Sequence, residues 1–240
     1  MRILITNDDG IGGAGLKVLA KWAQKLGTVE VFAPKVEQSA KSHAVQIHHE
    51  FEAKQVEFLP GIEAWAVDST PADCVRFALY GLNRRYDLVL SGVNRGLNIG
   101  RDIIYSGTVS AASEAAYQGM KGIALSTHPD GFQDAEAHLD EVWALMEEHR
   151  MLERNPLWNI NFPAAPRGIR LTCQGGPYFS DVFHPMGTDL YHPHGGSIYV
   201  DHHDYSIDTD ATLHGYISLT PLQLDRTNRE LFGELRKLNP

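Results

Sequence analysis

The chain of 240 residues carries 43% apolar and 21% charged side chains and a formal net charge of −9, a balance suited to one large α/β domain or two small ones with a buried core. The acidic surplus excludes a protein that tracks a nucleic-acid polymer, which needs clustered Lys and Arg to displace counterions. No run has the length of a bilayer span and the start lacks the basic residues and cleavage site of a signal peptide, so a cytoplasmic protein without membrane attachment is expected.

Arg2 to Thr6 is too short and too β-branched for a helix and reads as a strand. It opens into Asn7-Asp8-Asp9-Gly10, after which Leu16, Leu19, Ala20, Ala23 and Leu26 repeat at helical spacing until Gly27. Thr28 to Ala33 predicts a second strand stopped by Pro34, and Ala44 to Val67 shorter strands broken at Pro60-Gly61. Thr70 as N-cap, Pro71 at the first helical position and Asp73 in the first turn open another helix. Asp87 to Ser91 is an apolar run typical of a strand buried on both faces. Ser106 to Gln118 predicts an Ala-rich helix, Gly122 to Ser126 a strand, and Phe132 to Arg150 an amphipathic helix with Leu139, Val142, Trp143 and Met146 on one face.

From about Thr172 helical periodicity gives way to dense Gly, Pro, His, Asp and Tyr, which predicts hairpins and long loops that project, cover a site or pair with another subunit. Tyr216 to Leu219 returns as strand, and Thr227 to Leu238 as a terminal helix with Leu231, Leu235 and Leu238 in its stripe. The alternation of strands and helices predicts a doubly wound, mostly parallel α/β sheet. A single domain over residues 1–240 is expected, with a core of about 1–172 and 206–222, a protruding arm of about 173–205 and a C-terminal tail helix of about 223–240. Cys74 and Cys173, far apart and in apolar contexts, are expected as buried reduced thiols.

Ligands of open α/β sheets collect at the carboxyl ends of strands, which is where Asp8 and Asp9 fall. Adjacent carboxylates repel unless a cation lies between them or one is protonated. The alternative is a solvated turn in which Asp8 merely caps a helix. Other loops at the same edge weigh against it: Glu37 to His43, Gly92 to Gly100, and Ser106-Gly107-Thr108 at a helix start. Carboxylates with neutral oxygens, and no Cys or His pair at metal spacing, select a hard cation such as Mg²⁺ or Mn²⁺. Asp8, Asp9, Ser39 and Asn94 are the expected ligands, and Asp8 and Asp9 the expected catalytic pair. Ser106, Gly107 and Thr108 offer hydroxyls and helix N-terminal amides to a phosphate, with Asn98 beside them. His43 is a candidate proton donor. His184, His192, His194, His202, His203 and His214 crowd the C-terminal half without a clean zinc spacing and read as loop or interface residues.

These residues resemble a known family, the SurE survival proteins, which are metal-dependent 5′/3′-nucleotidases. The resemblance is carried by Asn7-Asp8-Asp9-Gly10, Ala33-Pro34 with Gln38-Ser39, Thr70-Pro71-Ala72-Asp73-Cys74-Val75, Ser91-Gly92-Val93-Asn94 with Gly96, Asn98 and Gly100, and Tyr105-Ser106-Gly107-Thr108-Val109. Weaker echoes are Asn159 to Pro163, Thr209-Asp210 and Ile217 to Leu222. It implies a Rossmann-like core, one divalent ion per subunit at Asp8, Asp9, Ser39 and Asn94, hydrolysis of nucleoside monophosphates, and a homodimer or homotetramer with exchanged or extended C-terminal segments. Departures from the family pattern are Ala40 and Ser69 where Gly is common, Lys35 where an acid is common and Ala115 where Gly is common; they bear on substrate preference.

Rival readings lack a required residue. A receiver-type binding module needs a phospho-accepting Asp at the end of another strand, where this chain has Ser91-Gly92-Val93-Asn94. A nicotinamide oxidoreductase needs Gly-x-Gly-x-x-Gly after the first strand, and haloacid-dehalogenase phosphatases an Asp-x-Asp there; neither follows the first strand here. Whether water attacks phosphorus directly or through an aspartyl-phosphate stays open at this point.

Overall fold

A computed structural model describes residues 1–238; Asn239 and Pro240, the end of the expected tail helix, lie outside the described residues. In chain order the core elements are β1 (Arg2–Thr6), α1 (Ala14–Ala23), β2 (Thr28–Pro34), β3 (Ala53–Val56), β4 (Glu63–Val67), α2 (Pro71–Arg76), β5 (Leu88–Arg95), α3 (Gly107–Tyr117), β6 (Lys121–Thr127) and α4 (Phe132–Glu148). They continue with α5 (Met151–Arg154), β7 (Leu157–Phe162), β8 (Ile169–Leu171), β9 (Phe179–Gly187), β10 (Leu190–Ser197), α6 (Asp208–Leu213), β11 (Ile217–Pro221) and α7 (Arg229–Leu235).

Nine strands form one sheet in the order β3-β4-β2-β1-β5-β6-β7-β11-β8. β4, β2, β1, β5, β6 and β7 run parallel, and β3 and β11 pair antiparallel with β4 and β7. The chain winds outward from β1 through β2 to β4, then returns to the other side of β1 and winds outward through β5, β6 and β7. This is a Rossmann-like doubly wound fold, and its topological switch point lies between β1 and β5, where such sheets open a crevice.

The pleat of β1 sorts the two halves of the core. Ile3 and Ile5 face α1 and α4 through Leu16, Leu19, Leu139, Val142 and Met146. Leu4 faces α2 and α3 through Cys74, Val75, Ala111 and Ala115. Each buried large aliphatic side chain contributes about 1.5–3 kcal/mol, so this sandwich fixes the strand ends rigidly. Small residues let the helices approach: a Cβ on Gly15 of α1 would lie 1.9 Å from the Val93 carbonyl oxygen. Caps behave as expected, with the Thr70 hydroxyl accepting from the Asp73 amide at 3.2 Å and the Ser106 hydroxyl from the Val109 amide at 3.1 Å.

Several elements depart from the sequence expectations. The first helix ends at Ala23 rather than at Gly27, and α4 ends at Glu148 because Arg150 turns left-handed at φ 49°. Leu157–Phe162 is a wholly buried strand, and α6 is a short helix within the region read as loops. Cys74 is buried as expected, but Cys173, between Thr172 and Gln174, is exposed. The antiparallel β9–β10 hairpin forms its own two-stranded sheet. It leaves Phe183, Met186, Leu190 and Tyr191 exposed, as α7 leaves Leu231, Phe232 and Leu235.

Candidate active site

The turn after β1 is built by Asn7, whose side chain donates to the Gly10 carbonyl at 3.0 Å and accepts from the Gly10 amide at 3.2 Å. Two main-chain bonds staple this turn to the exit of β2: Ile11 N–H to the Pro34 carbonyl at 2.7 Å and Gln38 N–H to the Asp8 carbonyl at 2.8 Å. Asp8 is therefore held at the switch point, only 5% exposed. Its Oδ1 accepts from the Thr108 hydroxyl at 2.6 Å. Gly107 permits this close approach, since a Cβ would sit 3.0 Å from the Asp8 Cβ and 3.2 Å from Oδ2. The N-terminus of α3 thus abuts the carboxylate directly.

Burial pushes the Asp8 carboxyl up to about 6, the Thr108 bond opposing the rise and the Asp9 charge adding to it. Asp9 is also raised, first by burial and then by Glu37, against a hydrogen bond from the Arg95 backbone. That bond, 3.3 Å from Arg95 N–H to Asp9 Oδ2, brings the end of β5 against the turn. The neighbouring Asn94 directs its amide nitrogen to the Gly96 carbonyl at 2.8 Å, which turns its oxygen the other way. The register of β5 with β6 slips between Ser91 and Asn94, re-aiming the strand end at the crevice.

Asp9, Glu37, Ser39 and Arg95 line one open cleft of about 860 Å³. Ser39 is exposed there, its hydroxyl donating to Glu37 at 2.6 Å. Of the expected ligands, Asp9 and Ser39 line this cleft, while Asp8 is buried next to Asp9 in the chain and Asn94 directly precedes Arg95. One buried and one half-buried carboxylate, both with raised pKa values, match the demand of a hard dication, which would relieve the repulsion between them.

The expected phosphate residues divide. Ser106 caps α3 and Thr108 is committed to Asp8, which makes Thr108 a partner of the acid pair as well as a helix N-terminal residue. Asn98 is bolted to the neighbouring strands: its amide donates to Ser126 at 2.7 Å, its N–H to the Asn161 side chain at 2.8 Å, and its carbonyl accepts from Asn159 and Asn161. His43 is not beside the acid pair. Its Nε2 lies 2.8 Å from Glu114, which Arg76 also approaches at 3.3 Å. These three line a second cleft of about 860 Å³ on the other flank of α3.

Sequence reading passed over the roles of Asn7 as the turn's scaffold, of Glu37 beside Ser39, and of Glu114 as the anchor of His43. The first two stand within the quoted motifs. Glu114 gives no signal until the fold brings it to His43, 71 positions away.

The model of the family described as Survival protein SurE matches residues 3–181. The 5′-nucleotidase SurE of Gemmatimonas aurantiaca is 43% identical over 249 residues, spanning 97% of this chain and 96% of that protein. That of Syntrophotalea carbinolica is 40% identical over 97% of this chain and 95% of the relative, and that of Desulforudis audaxviator 38% identical over 99% and 97%. The crystal structure of the SurE protein from Aquifex aeolicus superposes with a TM-score of 0.81 at 29% identity, covering all of both chains. With the acidic turn at the switch point and similarity along the whole length, the chain belongs to the SurE family.

Proposed function

We propose that this chain is a divalent-metal-dependent phosphatase that hydrolyses nucleoside 5′- and 3′-monophosphates to nucleoside and phosphate. The observation that carries the reading is the contact of Asp8 with the first turn of α3, which sets an acidic cation cradle against a helix N-terminus suited to phosphate. Relatives that span nearly the full chain bear the name 5′-nucleotidase, which supports the substrate class.

In this reading Asp8, Asp9, Ser39 and Asn94 hold one Mg²⁺ or Mn²⁺ per subunit. The bound cation would neutralise phosphate charge and acidify a water. Asp8 is oriented by Thr108, and Asp9, on the cleft side, takes the proton from the attacking water. Ser106 and the Gly107 amide stabilise charge on the phosphoryl oxygens, next to the loop that Asn98 anchors to the sheet. The bond from phosphorus to the ribose oxygen breaks in line with the attack, and that oxygen takes a proton from solvent water while Asp9 returns its own to solvent. His43, paired with Glu114 in the adjoining cleft, contacts the nucleoside side of the substrate.

The exposed apolar residues of the hairpin and of α7 support a homodimer or homotetramer that exchanges C-terminal segments. No helix among the described residues is long and apolar enough to cross a membrane, in keeping with a cytoplasmic enzyme.

Phosphate release from a panel of nucleoside 5′- and 3′-monophosphates, with Mg²⁺, Mn²⁺ or chelator, tests the proposal. Turnover should fall at least about 100-fold on chelation and return with Mn²⁺. Full activity in chelator, or no hydrolysis of any monophosphate with either metal, refutes it.

A further inference from the structure

The root of the β9–β10 hairpin gathers three side chains that are dispersed in sequence. Asp201 follows β10, His203 stands two residues later, and His214 caps the C-terminus of α6. Oδ2 of Asp201 lies 2.7 Å from Nε2 of His214 and 3.2 Å from Nδ1 of His203. The three donor atoms all lie within 4.8 Å of one another. Oδ1 of Asp201 is engaged elsewhere, accepting from the His203 amide at 2.8 Å, and this leaves Oδ2 facing both imidazoles.

The surroundings hold this arrangement in place. Asp210 of α6 is fully buried and accepts from the Tyr199 hydroxyl at 3.0 Å, the His202 amide at 3.0 Å and the Asp204 amide at 2.9 Å. The segment that bears Asp201 and His203 is thus pinned on both sides to the helix that carries His214. His203 takes a left-handed backbone, φ 55°, which costs a non-glycine residue energy and brings its ring onto Asp201. The Tyr205 ring packs 5.2 Å from that of His214. Groups that orient metal ligands from outside are as much a part of such a site as the ligands.

We infer that Asp201, His203 and His214 form a second cation site, separate from the acidic cleft and selective for a borderline divalent transition metal, Zn²⁺ above all. Two imidazole nitrogens and one carboxylate oxygen favour Zn²⁺, Co²⁺ or Ni²⁺ over Mg²⁺, whereas the all-oxygen cradle at Asp8 and Asp9 has the opposite preference. A metal about 2.0–2.2 Å from each atom asks the closest pair to open by roughly half an ångström. His203 and His214 are 76% and 30% exposed at the side chain, which leaves a fourth position to water. An ion there ties the returning end of the hairpin to α6 and fixes the direction in which the arm leaves the core.

The test adds Zn²⁺ (calorimetry) and Co²⁺ (visible absorption) to the full-length protein kept in saturating Mg²⁺. One equivalent per chain with a four-coordinate Co²⁺ spectrum is expected. It should vanish in Asp201→Asn and in the double variant His203→Ala/His214→Ala. It should persist in Asp8→Asn, and in His184→Ala/His194→Ala, which removes the other close imidazole pair, 5.9 Å apart on the hairpin. At a Zn²⁺ concentration a hundred times its dissociation constant, amide exchange of residues 199–206 through local opening should slow about 100-fold. Uptake that persists unchanged in the double variant or in Asp201→Asn, or no uptake by the wild type under Mg²⁺, overturns the inference.

Discussion

The turn after β1 and the C-terminal arm handle opposite problems. At the turn, polar groups are taken out of water and the same chain supplies their partners: Asn7 holds the backbone, Thr108 holds Asp8, and the Arg95 amide reaches Asp9. What remains unbalanced there is charge. In the hairpin the two strands pair with each other alone, and there and in α7 Phe183, Met186, Tyr191, Leu231, Phe232 and Leu235 stay in water. What remains unbalanced there is apolar surface. The first deficit is of the kind a small cation relieves and the second of the kind another protein surface relieves. One molecule can thus carry two incomplete regions that call for partners of different kinds.

Replacing the buried charge alone should give the largest effect. Asp8→Asn keeps an oxygen for Thr108 but removes the negative charge that would hold the cation, so nucleotidase activity should fall by about 10³-fold. Stability of the metal-free protein should move the other way. The folded pKa of Asp8, about 6, lies above the ordinary 3.8, so its protonated form favours the folded state. That contribution is fully present below pH 3.8 and is lost as pH rises through about 6; its full size is about 3 kcal/mol. Metal-free wild type should therefore lose stability between pH 4 and 7, and Asp8→Asn should lose less. Denaturant melts across that range in chelator, beside phosphate-release assays, decide it. Equal pH slopes in both proteins would show that the carboxylate is not buried as described.

The arm should respond to the opposite substitution. Charges placed on the apolar face of α7, Leu231→Glu with Leu235→Glu, should leave the core folded and weaken self-association by about 10³-fold or more, since each buried leucine contributes about 1.5–3 kcal/mol. Sedimentation of wild type and variant at matched concentrations reads this directly. A wild type that stays monomeric at tens of micromolar would remove the need for a second copy.

The same contrast explains how much could be read from the residues alone. β1, α1, β2, β5, α3, β6 and α4 declare themselves because each buries a face written in its own period, and the acidic turn follows from its place between a strand and a helix. β7 was hidden because Leu157–Phe162 interleaves Asn159 and Asn161 with apolar residues, and those amides are buried only because Asn98 supplies partners from another loop. α6 has no apolar stripe. Its Asp208 accepts from the amides of Gly100 and Gly175 and its Asp210 from those of His202 and Asp204, so the helix is defined by distant loops. The place of His43, expected as a proton donor, is set in a similar way, since Glu114 holds its ring in the second cleft. Residues whose partners lie close in sequence were legible, whereas those whose partners come from remote segments were not.

The loop that carries Ser39 is tied to the turn through the Gln38 amide and holds two left-handed non-glycine residues, Ala40 and Ser42. Ala40 has φ 56°, a left-handed conformation that costs an L-residue about 1–2 kcal/mol. Glycine would relieve that strain while giving back about 0.4–1 kcal/mol through the freer unfolded chain. Ala40→Gly should therefore stabilise the protein by about 0.5 kcal/mol, a small shift in urea midpoint at unchanged slope. Ser39 is exposed and bonded only to Glu37, so freeing its neighbour should change kcat/KM by less than about twofold, equivalent to roughly 0.4 kcal/mol. A clear destabilisation would mean that the left-handed backbone is imposed by the alanine rather than tolerated by it.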